Sequence, residues 1–121
     1  MISAAESGVG SAYTYSGYNW TGDASTSEFT CSGLVDYAPG NASQTNTPES
    51  LYAAVNGKGN LRSSVDGLSA GDLVFYEYAG RYPGHVGIYI GNARIIDSEP
   101  TGGVQIRDVY YPGTFLGGGS L

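Results

Sequence analysis

One cysteine and one histidine are all the chain has of either residue. A lone cysteine forms no internal disulfide, and together the two fall short of the three or four ligands usual at a zinc site. The sequence therefore argues against a metal centre, and no cofactor is expected. Basic residues are nearly as scarce, with five Lys and Arg against eleven Asp and Glu and a net charge of -6. Phosphate binding depends on Lys and Arg, so nucleic acid is excluded as a partner. Charged residues make up 13% of the chain, roughly half the ordinary share. No apolar run approaches the roughly 20 residues of a membrane-spanning helix. The start, Met1-Ile2-Ser3-Ala4-Ala5-Glu6, lacks the basic flank and apolar region of a signal peptide. The expectation is either a protein not exported by that route or a domain cut from a longer, multidomain chain.

What is abundant is Gly, Ser, Thr and Tyr, the surface composition of many exported proteins. The organising stretch is Glu28-Phe29-Thr30-Cys31-Ser32-Gly33-Leu34-Val35-Asp36-Tyr37, which holds the cysteine. With Thr30 as N-cap, Cys31 opens a helix whose one face carries Cys31, Leu34, Val35 and Ala38, and Pro39 stops it. The partial positive charge of a helix N-terminus favours negative charge on the sulfur. Gly33 costs about 1 kcal/mol of helix propensity and predicts close approach of another element.

At 121 residues the chain is long enough for one core. Ile2, Ala5 and Val9 predict a short first helix over residues 2–9, and Tyr13 and Tyr15 an extended segment. The polar stretch from Asn19 to Ser27 reads as loop, and residues 39–47 as turns. Thr47-Pro48-Glu49 predicts a further helix by cap, N1 proline and first-turn acid, with Leu51, Tyr52 and Val55 as its buried stripe and Asn56-Gly57 as its end. Beyond it the period changes to that of strands: Asp72 to Tyr78, His85 to Ile90, Arg94 to Asp97 and Val104 to Val109. Helices followed by strands predict an α+β domain in which N-terminal helices pack on an antiparallel sheet of at least four strands. Residues 1–116 read as that single domain, and 117–121, Gly-Gly-Gly-Ser-Leu, as a Gly-rich tail or linker remnant.

In His85-Val86-Gly87-Ile88-Tyr89-Ile90 the apolar Val86, Ile88 and Ile90 face one way and His85, Gly87 and Tyr89 the other. Gly87 leaves room beside His85, enough to admit the helix end with Cys31. A hairpin centred on Gly91 sets His85 opposite Asp97, whose carboxylate would orient the imidazole and leave its other nitrogen for Cys31. A two-residue Gly91-Asn92 turn would oppose Ser98 instead. Cys31, His85 and Asp97 together make the nucleophile, base and orienting acid of a triad.

Four segments in order carry a resemblance: Gly10-Ser11-Ala12-Tyr13-Thr14-Tyr15-Ser16-Gly17 after the first helix, Cys31-Ser32-Gly33-Leu34-Val35, Leu68-Ser69-Ala70-Gly71-Asp72-Leu73-Val74-Phe75-Tyr76, and His85-Val86-Gly87-Ile88-Tyr89-Ile90-Gly91-Asn92. With them the chain resembles the NlpC-type cell-wall cysteine peptidases, across roughly residues 2–109. The resemblance implies a papain-like core and hydrolysis of peptidoglycan stem peptides, typically between the γ-carboxyl of D-glutamate and a diamino acid. It implies Cys31 as nucleophile, His85 as base and Asp97 as the third polar residue, with Tyr13 near the reacting carbonyl. Three departures stand out. Thr30 replaces the Asp common before the nucleophile, where that Asp and the following serine, here Ser32, help hold a free amine; Glu28 or Asp23 would have to supply the carboxylate. Asp97 stands where the family often has His. The segment between Tyr15 and Cys31 is long and carries Tyr18 and Trp20, expected to shape the groove.

The function expected is that of a bacterial thiol peptidase of the cell envelope or outside the cell, cleaving stem peptides through a Cys31 thioester. The site residues are Cys31, His85 and Asp97 for catalysis and Tyr13, Thr30, Ser32 and Trp20 for substrate. The alternatives are an amidase or transpeptidase on another wall amide, and a module that binds wall peptide without cutting it.

Overall fold

The cysteine helix forms as its caps dictate. In the computed structural model, which describes residues 1–40 and 44–121, the Thr30 hydroxyl accepts from the Gly33 N–H at 2.8 Å, and Cys31–Tyr37 is helical. This helix is α2, following α1 (Ile2–Ser7) and three two-residue strands, β1 (Ala12–Tyr13), β2 (Tyr18–Asn19) and β3 (Glu28–Phe29). Where loop was expected from Asn19 to Ser27 there is the end of β2 and a 3-10 turn over Ala24–Thr26. Thr47 caps α3 (Pro48–Gly57) with a capping box, in which Ser50 and Thr47 exchange side-chain to backbone bonds at 2.8 and 3.1 Å. Of the turn segment 39–47, Asn41 to Ser43 lie outside the described residues.

The main sheet is antiparallel and five-stranded: β4 (Leu73–Tyr78), β5 (Arg81–Gly91), β6 (Arg94–Glu99), β7 (Gly103–Asp108) and β8 (Thr114–Gly119), ordered β7-β6-β5-β4-β8. A second sheet, β1-β3-β2, joins β3 to β1 in parallel and to β2 antiparallel. The architecture is the expected α+β one.

The fifth strand corrects the sequence reading. Gly117 to Gly119 are no tail; they are buried, and they pair with Phe75, Val74 and Leu73 of β4. Glycine is required here because a Cβ at Gly118 would lie 2.6 Å from the Leu73 carbonyl oxygen, and one at Gly117 3.0 Å from that of Arg62. Backbone passes where side chains would stand, so the composition of a flexible linker here serves close packing.

Both faces of the sheet are buried. One packs Phe75, Val86, Ile88, Ile96 and Val104 against Leu34 and Val35 of α2 and Leu51 and Val55 of α3. The other carries Val74, Tyr76, Tyr89, Ile95 and Val109 under Val65, Leu68 and Phe115. By strand alternation His85, Asp97, Glu99 and Arg107 belong to this second face, and all four are buried. Among the described residues no helix is long and apolar enough to cross a membrane.

Candidate active site

Cys31 is held from three sides. Glycine at position 33 lets the Gly17 carbonyl approach so closely that a Cβ would overlap it, and that carbonyl accepts from the Thr30 N–H at 3.0 Å and the Thr30 hydroxyl at 3.3 Å. The close approach inferred from Gly33 is therefore the tyrosine-rich loop folding over the helix start. From the sheet, the Ser98 hydroxyl donates to the Phe29 carbonyl at 2.7 Å. From beyond the helix, buried Asp36 accepts from Asn46 Nδ2 at 2.7 Å and fixes the chain ahead of α3.

His85 Nε2 lies 2.7 Å from Asp97 Oδ2, with both side chains buried. That leaves Nδ1 for Cys31, which lies near enough to raise the pKa of His85. Burial works against a proton on the imidazole, but the hydrogen bond to Asp97, the nearby Cys31 sulfur and the negative charge of both outweigh it and raise its pKa from 6.5 to about 9. The imidazolium is the form favoured at neutral pH.

Asp97 reaches His85 by a route that neither turn expected from sequence provides. The turn is Asn92-Ala93, both with positive φ (53° and 58°), and Gly91 pairs with Arg94. An extra residue on β5 at Ile90 shifts the register, so that Tyr89 pairs with Ile95 and Ile88 with Ile96. Continued along the strands, this sets Asp97 across from Gly87 and Glu99 across from His85. A Cβ on Gly87 would lie 3.2 Å from that of Asp97. The room at Gly87 thus admits the acid, not the helix end carrying Cys31, and the carboxylate reaches His85 diagonally.

Two residues of this network were not foreseen. Arg107 Nη1 donates to Asp97 Oδ1, its Nη2 bonds the carbonyls of Thr101 and Gly103 at 3.0 and 3.1 Å, and its Nε lies 3.4 Å from Glu99 Oε2. Glu99 is pushed up from the usual carboxylate range by burial first and by the charge of Asp97 second, against the pull of His85 and Arg107. Their one signal in sequence was position: Glu99 shares alternation with Asp97, and Arg107 interrupts an apolar strand. His85, Asp97 and Glu99 bring one donor atom each within 4.8 Å of one another. Both Asp97 oxygens are already bonded, to His85 and Arg107, and the guanidinium supplies the positive charge that two neighbouring carboxylates need.

A cleft of about 300 Å³ includes Cys31 in its lining, together with Tyr13, Thr30, Ser32, Thr47, Glu49 and Arg81. Tyr13 has its pKa raised by burial and then by the charge of Cys31, so its hydroxyl keeps its proton beside the sulfur. Trp20 does not line the cleft. It packs on Tyr37 and Phe29, with ring centroids 5.4 and 6.3 Å apart, because those rings offer apolar surface that the polar cleft does not. Nor do Glu28 and Asp23 replace the carboxylate absent at Thr30. Asp23 caps its own turn by accepting from the Ser25 N–H at 2.9 Å, Glu28 is exposed on β3, and neither reaches the cleft.

A cysteine opening the central helix beside a strand-borne histidine, with helices ahead of an antiparallel sheet, defines the papain-like class of fold. Within it the chain belongs to the NlpC/P60 family, whose pattern matches residues 14–114. Murein DD-endopeptidase MepH of Escherichia coli is 35% identical over 86 residues, which is 70% of this chain and 32% of that protein. The bifunctional muramidase/DL-endopeptidase CwlT of Bacillus subtilis is 35% identical over 96 residues, 76% of this chain and 27% of its own. The chain thus spans about a third or less of the length of these relatives. Among solved structures, RipB of Mycobacterium tuberculosis superposes with a TM-score of 0.67 at 26% identity, over 98% of this chain and 61% of that one. The NlpC/p60 domain of the peptidoglycan hydrolase SagA gives 0.66 at 24%, over 99% and 95%.

Proposed function

We propose that the domain is a cysteine endopeptidase that cleaves peptidoglycan stem peptides at the bond between the γ-carboxyl of D-glutamate and the diamino acid. The observation that carries this reading is the line Cys31, His85, Asp97, with the sulfur at the cleft and the acid behind the imidazole. The Cys31 sulfur, its proton passed to His85 Nδ1, attacks the scissile carbonyl carbon. A C–S bond forms, and the carbonyl oxygen takes the electron pair. The Cys31 backbone N–H and the Tyr13 hydroxyl are the donors for that oxygen. As the C–N bond breaks, His85 gives its proton to the leaving amine, which leaves a thioester. Water then attacks with His85 as base, and the C–S bond breaks to release the carboxylate and restore the thiol.

Asp97 fixes the imidazole's orientation and stabilises the imidazolium, and Arg107 anchors the other Asp97 oxygen. The substrate places the protein in the bacterial envelope or outside the cell, within a longer chain such as its relatives have. The test is mass spectrometry of muropeptides after digestion of cell wall, with Cys31→Ala as control. New γ-D-glutamyl termini from the wild type and none from the variant are expected. Products cut at another wall amide would move the reading to an amidase, and no products from the wild type would leave a binding module.

A further inference from the structure

Two groups of opposite charge line the cleft that holds the nucleophile. Among the described residues lining the cleft, Glu49 is the one carboxylate and Arg81 the one guanidinium, and they bond to each other through Glu49 Oε2 and Arg81 Nη2. They come from separate elements. Glu49 sits in the first turn of α3, fixed by the Thr47 capping box, and Arg81 leaves the tight hairpin Ala79-Gly80 that joins β4 to β5.

The pair is poorly suited to a structural role. Its side chains are 65% and 43% exposed, and ion pairs in such settings add little to stability. Glu49 Oε1 is nonetheless buried and has no hydrogen-bond partner among the described residues. The other described residues that line the cleft add no further acidic or basic side chain.

We infer that Glu49 and Arg81 are the charge-reading residues of the substrate site, exchanging each other for an ammonium and a carboxylate on the same ligand. Arg81 offers a planar fork for a carboxylate, and Glu49, released from Arg81, takes the ammonium with its carboxylate. The exchange breaks one weak ion pair and makes two. This inference rests on the proposed peptidase function and deepens it by naming the substrate's charge pattern. A stem peptide carries that pattern twice: at the L-alanine amine with the D-glutamate α-carboxylate, and at the far end of a diamino acid that bears both groups.

The experiment measures kcat/KM for the wild type, Glu49→Gln and Arg81→Gln on four peptides. These are L-Ala-γ-D-Glu-meso-diaminopimelate, its N-acetyl form, the form with the D-glutamate α-carboxyl amidated, and the form with lysine in place of diaminopimelate. Each variant should lose about tenfold or more on the parent peptide, with unchanged melting temperature, and lose nothing further on the peptide that already lacks the group it reads. If N-acetylation silences Glu49→Gln and amidation silences Arg81→Gln, the L-Ala-γ-D-Glu end is bound. If the lysine peptide alone silences Arg81→Gln, the diamino acid is bound. Variants that match the wild type, or that lose equally on all four peptides, would overturn the inference while leaving the peptidase reading intact. A wild type inactive on all four would overturn the reading itself.

Discussion

The Ser98 hydroxyl donates to the Phe29 carbonyl at 2.7 Å, joining the strand of the acid to the residue two before the nucleophile. That carbonyl also accepts from the Thr14 N–H at 3.0 Å, so it keeps one partner when the hydroxyl is removed. Ser98→Ala should therefore cost about 1 kcal/mol of stability, the ordinary net worth of a hydrogen bond. Turnover should fall by more than that loss explains, because Cys31 is then less firmly placed against His85. Denaturant unfolding beside kcat at a temperature where both proteins are folded makes the comparison; equal kcat would mean that Ser98 only stabilises.

Gly87→Ala should disable the site from behind. The new Cβ would lie 3.1 Å from Ile95 Cδ1 and 3.2 Å from the Asp97 Cβ. The isoleucine methyl can turn away, but Asp97 is pinned between His85 and Arg107. Crowding of this kind costs about 1–3 kcal/mol, and displacement of the carboxylate should lower kcat/KM by roughly tenfold or more. Retained activity in a folded Gly87→Ala protein would show that Asp97 does not position the imidazole.

The raised pKa of His85 sets a direction for pH effects. Protonated His85 gives its proton to the leaving amine, so kcat/KM should fall as pH rises through about 9. Removing the negative charge with Asp97→Asn should move that alkaline limb downward, toward 6.5. Stability follows the same sign: the folded protein binds this proton more tightly than the unfolded chain, whose value is 6.5. The contribution is whole below about 6.5 and is lost as pH climbs to about 9. Melting temperatures of wild type and His85→Gln across pH 6–10 should converge toward the alkaline end.

Gly33→Ala should destabilise the fold although alanine favours helix by about 1 kcal/mol. Its Cβ would overlap the Gly17 carbonyl and sit 2.8 Å from the Thr30 Oγ1. The Gly17 loop must move, and both its bonds to Thr30 weaken, so a net loss of about 1–3 kcal/mol is expected. A more stable Gly33→Ala protein would show that the loop yields freely.

What the sequence by itself determined are features whose physics is local. Thr30 and Thr47 cap helices because a hydroxyl meets an N–H three residues on, and Pro48 suits a first turn in any protein. Alternation put Val86 and Ile88 on one face and His85 on the other, since side chains in a strand alternate whatever lies beside it. The resemblance carried in those same short segments led to the family. The tertiary structure decided what depends on distant backbone. Asp97 meets His85 across Gly87 because the Asn92-Ala93 turn and the extra residue at Ile90 set the register. Arg107 and Glu99 join the network because β7 lies beside β6, an order no local pattern encodes. The glycines at 117–119 are strand because β4 and the backbone of Asn60 to Arg62 leave no space for a Cβ there. Glu49 and Arg81, 32 residues apart in sequence, become neighbours only when the first turn of α3 comes to rest beside the β4–β5 hairpin.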